Sequence, residues 1–104
     1  MLRQFAAAAR AELRAHDVLA RWGGEEFLLM LPDTLPADAQ AVLARLRTRV
    51  AQLGMADIAF ERPLSFSGGL TTRKEREPLA ATVNRADKAL YQAKSSGRDR
   101  VVST

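Results

Sequence analysis

The segment around two glycines and two carboxylates, Gly23-Gly24-Glu25-Glu26, constrains the fold of this chain more than any other. Val18, Leu19 and Trp22 precede it, and an apolar run typical of a buried strand follows it, Phe27-Leu28-Leu29-Met30-Leu31. Glycine tolerates positive φ and lets a ligand approach the backbone, so the pattern predicts two strands joined by a tight turn. Folding alone explains two adjacent acids at such a turn poorly. Because strand neighbours point to opposite faces, one acid can serve a site and the other the scaffold.

Five further blocks accompany this hairpin in a fixed order. Arg14-x-x-Asp17 precedes the first glycine by five residues. Arginine offers a planar fork that can bind phosphate, and a carboxylate accepts hydrogen bonds from N–H donors. The alternative is a local salt bridge worth little on a surface. The other blocks are Ala20-Arg21-Trp22, Leu31-Pro32-Asp33-Thr34, Ser67-Gly68-Gly69 and Ala86-Asp87-Lys88-Ala89-Leu90-Tyr91-Gln92-Ala93-Lys94-Ser95-Ser96-Gly97-Arg98.

Length and composition indicate one globular domain. The 104 residues are 47% hydrophobic and 27% charged, and they include no cysteine, which excludes a disulfide framework and a thiolate metal site. That composition suits a cytoplasmic protein, and no apolar run approaches membrane-spanning length, so any membrane anchor would lie outside this chain. The net charge of +4 reflects either an arginine-rich solvated surface or a polyphosphate or dinucleotide partner. With one Trp and one Tyr there is no basic-aromatic platform, and nucleic acid is not expected as a partner.

Hydrophobic spacing predicts three helices and two more strands. The helices are predicted over residues 1–15, 36–54 and 78–97, with Gly54 and Gly97 as their C-terminal stops. The strands are predicted over 64–71 and 100–104, and Gly68-Gly69 indicates a bulge or a close backbone approach. Residues 55–62 are ambiguous and could hold a short strand. The inward face of the third helix is predicted to comprise Leu79, Val83, Ala86, Leu90 and Ala93.

Taken together, these blocks resemble the GGDEF domains, the diguanylate cyclases, in their GGEEF form. The resemblance covers nearly the whole chain. It implies an α/β fold (an α+β sandwich) in which an antiparallel-rich sheet is flanked by helices, similar to nucleotidyl cyclases and polymerase palms. The family also carries a D-x-F-K-x-x-N-D-x-x-G-H-x-x-G-D pattern before the hairpin, and these 104 residues do not contain it. We therefore expect residues 1–104 to be the C-terminal portion of a single GGDEF domain, truncated at its N-terminus.

The resemblance implies roles for the hairpin. Glu25 is expected to be a catalytic acid that holds Mg²⁺ (or Mn²⁺) and helps to deprotonate an attacking hydroxyl, with Glu26 as a supporting catalytic acid. Gly23 and Gly24 are expected to let GTP lie against the turn. Without the resemblance, a pair of exposed surface acids with no role in a site would be an equally good interpretation of Glu25 and Glu26.

The closing block implies a second part of the substrate site. Lys94 and Arg98 are four residues apart, one helical turn, although Gly97 intervenes near the helix end, and the family uses this pair to hold GTP phosphates. The alternative is a favourable interaction of cations with a helix C-terminus. The family usually has Asn where this chain has Asp99, and the added charge could pair with Arg98 and weaken its grip.

A product-inhibition site is also implied. In this family the RxxD motif, here Arg14 and Asp17, binds cyclic di-GMP and represses the enzyme. Arg45 matches a family arginine that helps to bind the cyclic product.

Three hypotheses follow for the function. The first is a diguanylate cyclase domain that condenses two GTP into cyclic di-GMP, working as a homodimer under a sensory or regulatory domain outside this chain, in a cytoplasmic or membrane-anchored parent. The second is a non-catalytic cyclic di-GMP receptor that uses Arg14, Asp17 and Arg45. The third is an inactive remnant. Because the first metal- and guanine-binding segment of the family is absent, the 104-residue chain alone is expected to be inactive.

Overall fold

The computed structural model of the chain describes residues 2–56 and 65–104 and divides it into two compact units, residues 1–64 and 65–104. The first unit contains helix α1 (Leu2–Glu12), strands β1 (Val18–Gly23) and β2 (Glu26–Met30), and helix α2 (Pro36–Ala56). The second contains strand β3 (Gly68–Leu70), helix α3 (Leu79–Ser95) and strand β4 (Val101–Ser103). No helix in the described ranges is both long enough and apolar enough to cross a bilayer.

In the first unit, β1 and β2 form the predicted antiparallel hairpin. Val18 pairs with Met30 and Arg21 with Phe27, and the register shifts between Arg21 and Gly23. Helix α1 packs against both α2 and β1. The Phe5 ring, from α1, lies 4.9 Å from the Phe27 ring at a tilt of 36°. The helices bury small and branched residues between them, which are Ala8, Ala9, Ala39, Leu43, Leu46 and Val50.

In the second unit, β3 and β4 form a parallel pair, and α3 packs on both strands. Ala89 and Ala93 of α3 are fully buried. Gly69 explains how closely the strand approaches the helix: a Cβ added there would overlap the Ala86 carbonyl oxygen and lie 2.5 Å from the Leu90 nitrogen. The predicted close backbone approach at this Gly-Gly pair is therefore confirmed.

Several predicted boundaries were wrong. Helix α1 ends at Glu12, three residues before the predicted end, because Arg14 and Asp17 form a local turn. Helix α2 continues past Gly54 to Ala56, since one glycine costs a helix interior only about 1 kcal/mol. Leu79, predicted to face inward, is 44% exposed because it is the first residue of α3.

The predicted strands at the chain's centre differ as well. Strand β3 begins at Gly68, so residues 65–67 lie outside it. Residues 55 and 56, where a short strand was a possible interpretation, belong to α2. The rest of that segment, and position 64, lie outside the described residues. The C-terminal strand predicted over 100–104 is confirmed as β4, with bounds of Val101–Ser103 that leave Arg100 and Thr104 outside it.

Candidate functional site

The hairpin turn presents its backbone and two carboxylates, Glu25 and Glu26, to solvent. Gly23 pairs with Glu26 across the turn, and Gly24 adopts a positive φ of 43° between them. A Cβ added at either glycine would have no neighbour within 4 Å among the described residues, which leave this face of the backbone open. The Arg21 side chain stabilises the turn by donating from Nε and Nη2 to the Gly24 carbonyl oxygen, at 3.0 and 2.7 Å.

The two acids differ in position. Glu25 lies in the turn and Glu26 is the first residue of β2, and both are exposed. The prediction that strand alternation sends them to opposite faces was therefore wrong, because only one of them belongs to a strand. The turn instead places Glu25 at the tip of the hairpin.

The donor chemistry here fits a hard cation only in part. Across residues 2–56 and 65–104, no group of three or more His, Cys, Asp or Glu side chains is arranged to hold a metal ion. The hairpin offers two adjacent exposed carboxylates, Glu25 in the turn and Glu26 at the start of β2. Mg²⁺ usually takes one or two carboxylates together with phosphate oxygens and waters. The carboxylates therefore fit an ion that arrives with a nucleotide.

The backbone has different conformations at Lys94 and Arg98. Lys94 is in the last turn of α3, and the helix ends when the Arg98 nitrogen donates to the Ala93 carbonyl at 3.0 Å, the 6→1 bond of a Schellman motif. Gly97, Arg98 and Asp99 all have positive φ, at 122°, 62° and 47°. Arg98 thus lies beyond the helix, which agrees with Gly97 as its predicted C-terminal stop, and the four-residue spacing of the two cations is not one turn of α3.

The predicted substrate-binding residues divide between the two units. Gly23 and Gly24 belong to the first and Lys94 and Arg98 to the second.

Arg14 and Asp17 form a closed local turn. The Arg14 nitrogen donates to Asp17 Oδ2 at 2.8 Å, and the Asp17 nitrogen donates back to the Arg14 carbonyl at 3.1 Å. The Arg14 side chain donates to the Thr34 hydroxyl and to the Pro32 carbonyl, while its Nε lies 3.6 Å from Asp17 Oδ2. The local salt bridge considered from the sequence therefore exists, but it is part of a wider arrangement.

The Asp17 carboxylate is the unusual member of this turn. Its side chain is only 3% exposed, and Oδ1 is buried without a hydrogen-bond partner among the described residues. A buried carboxylate oxygen left unpaired is costly, so such an atom needs an explanation. A donor brought by a ligand would satisfy it.

Arg45 approaches the same region from α2 and has a partner there. Its Nε donates to Glu12 Oε2 at 3.0 Å, and Arg49 donates from Nε to Glu12 Oε1 at 3.0 Å. The hydrogen bond from Arg45, followed by that from Arg49, holds the pKa of Glu12 below its usual value. Sequence reasoning missed Glu12, because no spacing pattern links it to residues more than thirty positions away.

These groups meet at one cavity of about 260 Å³ within the first unit. The structure thus brings the three residues predicted for product binding to one place. The lining includes Arg14, Asp17 and Arg45, together with Glu12, Asp33 and Asp38.

A second charged cluster, also missed from the sequence, lies in the second unit. Arg85 of α3 forms a bidentate pair with Glu77, at 2.5 Å from Nη1 to Oε2 and 2.9 Å from Nη2 to Oε1. Thr82 and the Lys74 nitrogen also donate to Glu77. Arg85 reaches the Thr71 hydroxyl and the Thr72 carbonyl as well, so this cluster anchors the loop 72–77 to α3. The only sequence feature that could have indicated this cluster is Glu77, an acid just before Pro78.

Comparison with known proteins decides the family. The family model described as "Diguanylate cyclase, GGDEF domain" matches residues 1–100. The chain belongs to the GGDEF family. Diguanylate cyclase DgcP of Pseudomonas aeruginosa is 38% identical to this GGDEF chain over 101 residues, which cover 97% of the chain and 15% of DgcP. Response regulator PleD of Caulobacter vibrioides is 39% identical over 106 residues, covering 98% and 23%. The GGDEF chain therefore spans less than a quarter of these relatives.

Solved structures agree with this assignment. Diguanylate cyclase SiaD of Pseudomonas aeruginosa, solved with its activator SiaC, superposes with a TM-score of 0.89 at 45% identity, covering 99% of this GGDEF chain and 40% of SiaD. The GGDEF domain of DgcB of Caulobacter crescentus, solved with cyclic di-GMP, gives 0.84 at 28% identity, covering 98% and 61%. The predicted α/β GGDEF fold is confirmed.

Proposed function

We propose that the protein acts as a diguanylate cyclase, which condenses two GTP into cyclic di-GMP and pyrophosphate. The observation that carries the proposal is the uncovered Gly23–Glu26 turn, which presents Glu25 at its tip, in a chain of the GGDEF family. An open glycine backbone beside a carboxylate suits an anionic nucleotide that must come close to the main chain.

Each bond formed joins the ribose 3′-oxygen of one GTP to the α-phosphorus of the other, and pyrophosphate leaves. Glu25 accepts the hydroxyl proton, and Glu26 supports it as a second acid. Lys94 and Arg98 bind the phosphates and offset the charge on the leaving group. When bound, Mg²⁺ or Mn²⁺ would neutralise phosphate charge, and Glu25 is the residue that would hold it.

This chemistry implies partners beyond the chain. Each domain holds one GTP, and two must meet, so the working unit is a homodimer. Regulation comes from a sensory domain or partner protein outside this chain, as the SiaD structure with its activator suggests. Because GTP is the substrate, we place the activity in the cytoplasm, in a parent that is either free or anchored to the membrane.

The test is product formation by the full-length natural protein. Incubation with GTP and Mg²⁺, followed by nucleotide chromatography, should yield cyclic di-GMP and pyrophosphate. Purified, folded protein that leaves GTP unchanged with Mg²⁺ and with Mn²⁺ would contradict the proposal.

A second function is favoured by the cavity in the first unit: we propose that it binds cyclic di-GMP. The observation is the buried Asp17 Oδ1 beside Arg14, which has no hydrogen-bond partner within residues 2–56 and 65–104, because guanine presents donors that would satisfy this oxygen. Arg14 and Arg45 provide forks for the two phosphates of the ligand. In a cyclase this site gives product inhibition, and in an inactive chain it makes a receptor.

Isothermal titration calorimetry with cyclic di-GMP tests this second function directly. A heat of binding would support it if prior saturation of the protein with cyclic di-GMP abolishes the heat and prior addition of GTP leaves it in place. A folded sample that releases no heat would contradict it.

A further inference from the structure

Glu12 lines the cavity and accepts hydrogen bonds from two arginines of α2. It is the last residue of α1, and its carboxylate accepts from both Arg45 and Arg49 of α2. Its side chain is only 13% exposed, whereas that of Arg45 is 57% exposed. The carboxylate is therefore held in place, while the arginine side chain, which lines the cavity, is open to solvent.

We propose that Glu12 is a built-in competitor for Arg45, and that it lowers the affinity of the cavity for an anionic dinucleotide. The proposal rests on the proposed binding of cyclic di-GMP at this cavity. A ligand phosphate must either take the Arg45 guanidinium from Glu12 or share it with a carboxylate of like charge.

The charges around the cavity support this competition. Four acids line it against two arginines, so an incoming phosphate meets a surface with an excess of negative charge. Of the acids, Glu12 is the one that directly contacts Arg45. The hydrogen bond from Arg45 also lowers the pKa of Glu12, so the carboxylate stays ionised near neutral pH.

The test compares cyclic di-GMP affinity in the full-length natural protein and its Glu12→Gln variant by calorimetry. Glutamine keeps an acceptor oxygen for the arginines and removes the charge. We expect binding to be about fivefold tighter in the variant, the size of effect measured for an exposed ion pair. Thermal unfolding monitored by circular dichroism checks that the variant is folded.

Asp33→Asn is the matched control. Asp33 lines the same cavity and has a positive φ of 50°, which asparagine tolerates, so one negative charge is lost with little strain. We expect its affinity to stay within about twofold of wild type, because the ion pair described for Arg45 is with Glu12 and not with Asp33. In an Arg45→Ala background, Glu12→Gln should give no gain.

Three outcomes would overturn the competition. These are weaker or unchanged binding by Glu12→Gln, an equal gain from Asp33→Asn, and a gain that persists without Arg45. In each of them the wild type binds, and only the role of Glu12 fails. If neither the wild type nor Glu12→Gln binds cyclic di-GMP, the proposed binding function fails, and the role of Glu12 with it.

Discussion

Glu25 stands outside the strands, at a turn that the Arg21 side chain holds in shape. We predict that Glu25→Gln lowers cyclic di-GMP formation by about two orders of magnitude, because it removes the charge that would accept a proton and hold a metal ion. Turnover of GTP by the full-length natural protein, followed by chromatography, measures this effect.

Glu75→Gln is the control for that substitution, since Glu75 is an exposed acid in the loop 72–77 of the other unit. Its turnover should equal that of wild type. Near-normal turnover by Glu25→Gln would remove Glu25 from the mechanism.

Arg14 is the residue on which the proposed dinucleotide site depends most. Its backbone holds Asp17 and its side chain reaches Thr34, so it links two segments at the cavity. We predict that Arg14→Ala weakens cyclic di-GMP binding by about 1.5–3 kcal/mol, the usual worth of a charge-assisted hydrogen bond. Asp17→Asn should also weaken binding, because an amide offers a donor where guanine already presents donors.

Calorimetric titration measures both variants, and Arg3→Ala serves as the control because it removes an exposed arginine of α1 that does not line the cavity. Equal affinity in wild type and Arg14→Ala would mean that this turn has only a structural role.

At the scale of elements, the contact between β3 and α3 depends on one glycine. A Cβ at Gly69 would collide with backbone of α3, which cannot move aside as a side chain can. We predict that Gly69→Ala destabilises the protein by about 3 kcal/mol or more, at the upper end of overpacking costs. Chemical denaturation monitored by circular dichroism gives the free energy of unfolding.

Its neighbour provides the matched control. A Cβ at Gly68 would lie 3.3 Å from a terminal carbon of Val101, a side-chain atom that can shift by a few tenths of an ångström. Gly68→Ala should therefore cost clearly less than Gly69→Ala. Equal losses would show that the close approach is not what requires glycine at position 69.

The loop 72–77 should make stability depend on acid pH. The bidentate hydrogen bonds from Arg85, then those from Thr82 and the Lys74 nitrogen, lower the pKa of Glu77 well below its ordinary value of 4.5. A depressed carboxyl pKa stabilises the folded state above the ordinary value, and this contribution is lost as pH falls toward the folded pKa. We predict that Glu77→Gln lowers Tm at pH 6, and that the difference from wild type shrinks between about pH 5 and pH 3.

Thermal unfolding at several pH values measures this difference in Tm. Glu75→Gln is the control, because it removes another acid of the same loop. A difference in Tm that stays constant from pH 6 to pH 3 would mean that Glu77 acts through packing instead of charge.

At the scale of the whole molecule, the 104-residue chain should lack the proposed cyclase activity and keep the proposed binding of cyclic di-GMP. The 104 residues lack the D-x-F-K-x-x-N-D pattern that the family resemblance associates with metal and guanine binding. The Arg14, Asp17 and Arg45 cavity, by contrast, is formed by residues of the first unit alone. We predict that the 104-residue chain produces no cyclic di-GMP from GTP.

A folded preparation of the same chain should still bind cyclic di-GMP. Chromatography and calorimetry on one preparation test both statements, and circular dichroism establishes that it is folded. Measurable cyclase activity of the isolated chain would contradict the first statement.

The sequence by itself determined the hairpin, the three helices and the family. Local chemistry suffices for these features: glycines permit the turn between β1 and β2, apolar spacing marks the buried face of α2, and ordered motifs identify the GGDEF resemblance. It also singled out Arg14, Asp17 and Arg45, but only through that resemblance.

Tertiary structure alone decided which polar and charged groups meet across long stretches of sequence. Glu12 and Arg49 are 37 positions apart, and Thr71 and Thr104 are 33 apart, yet both pairs are in contact. No periodic pattern encodes such pairs, because they depend on how one element packs on another. The same reason explains why Asp17 Oδ1 is buried with no partner in the described part of the chain, and why Gly69 tolerates no side chain.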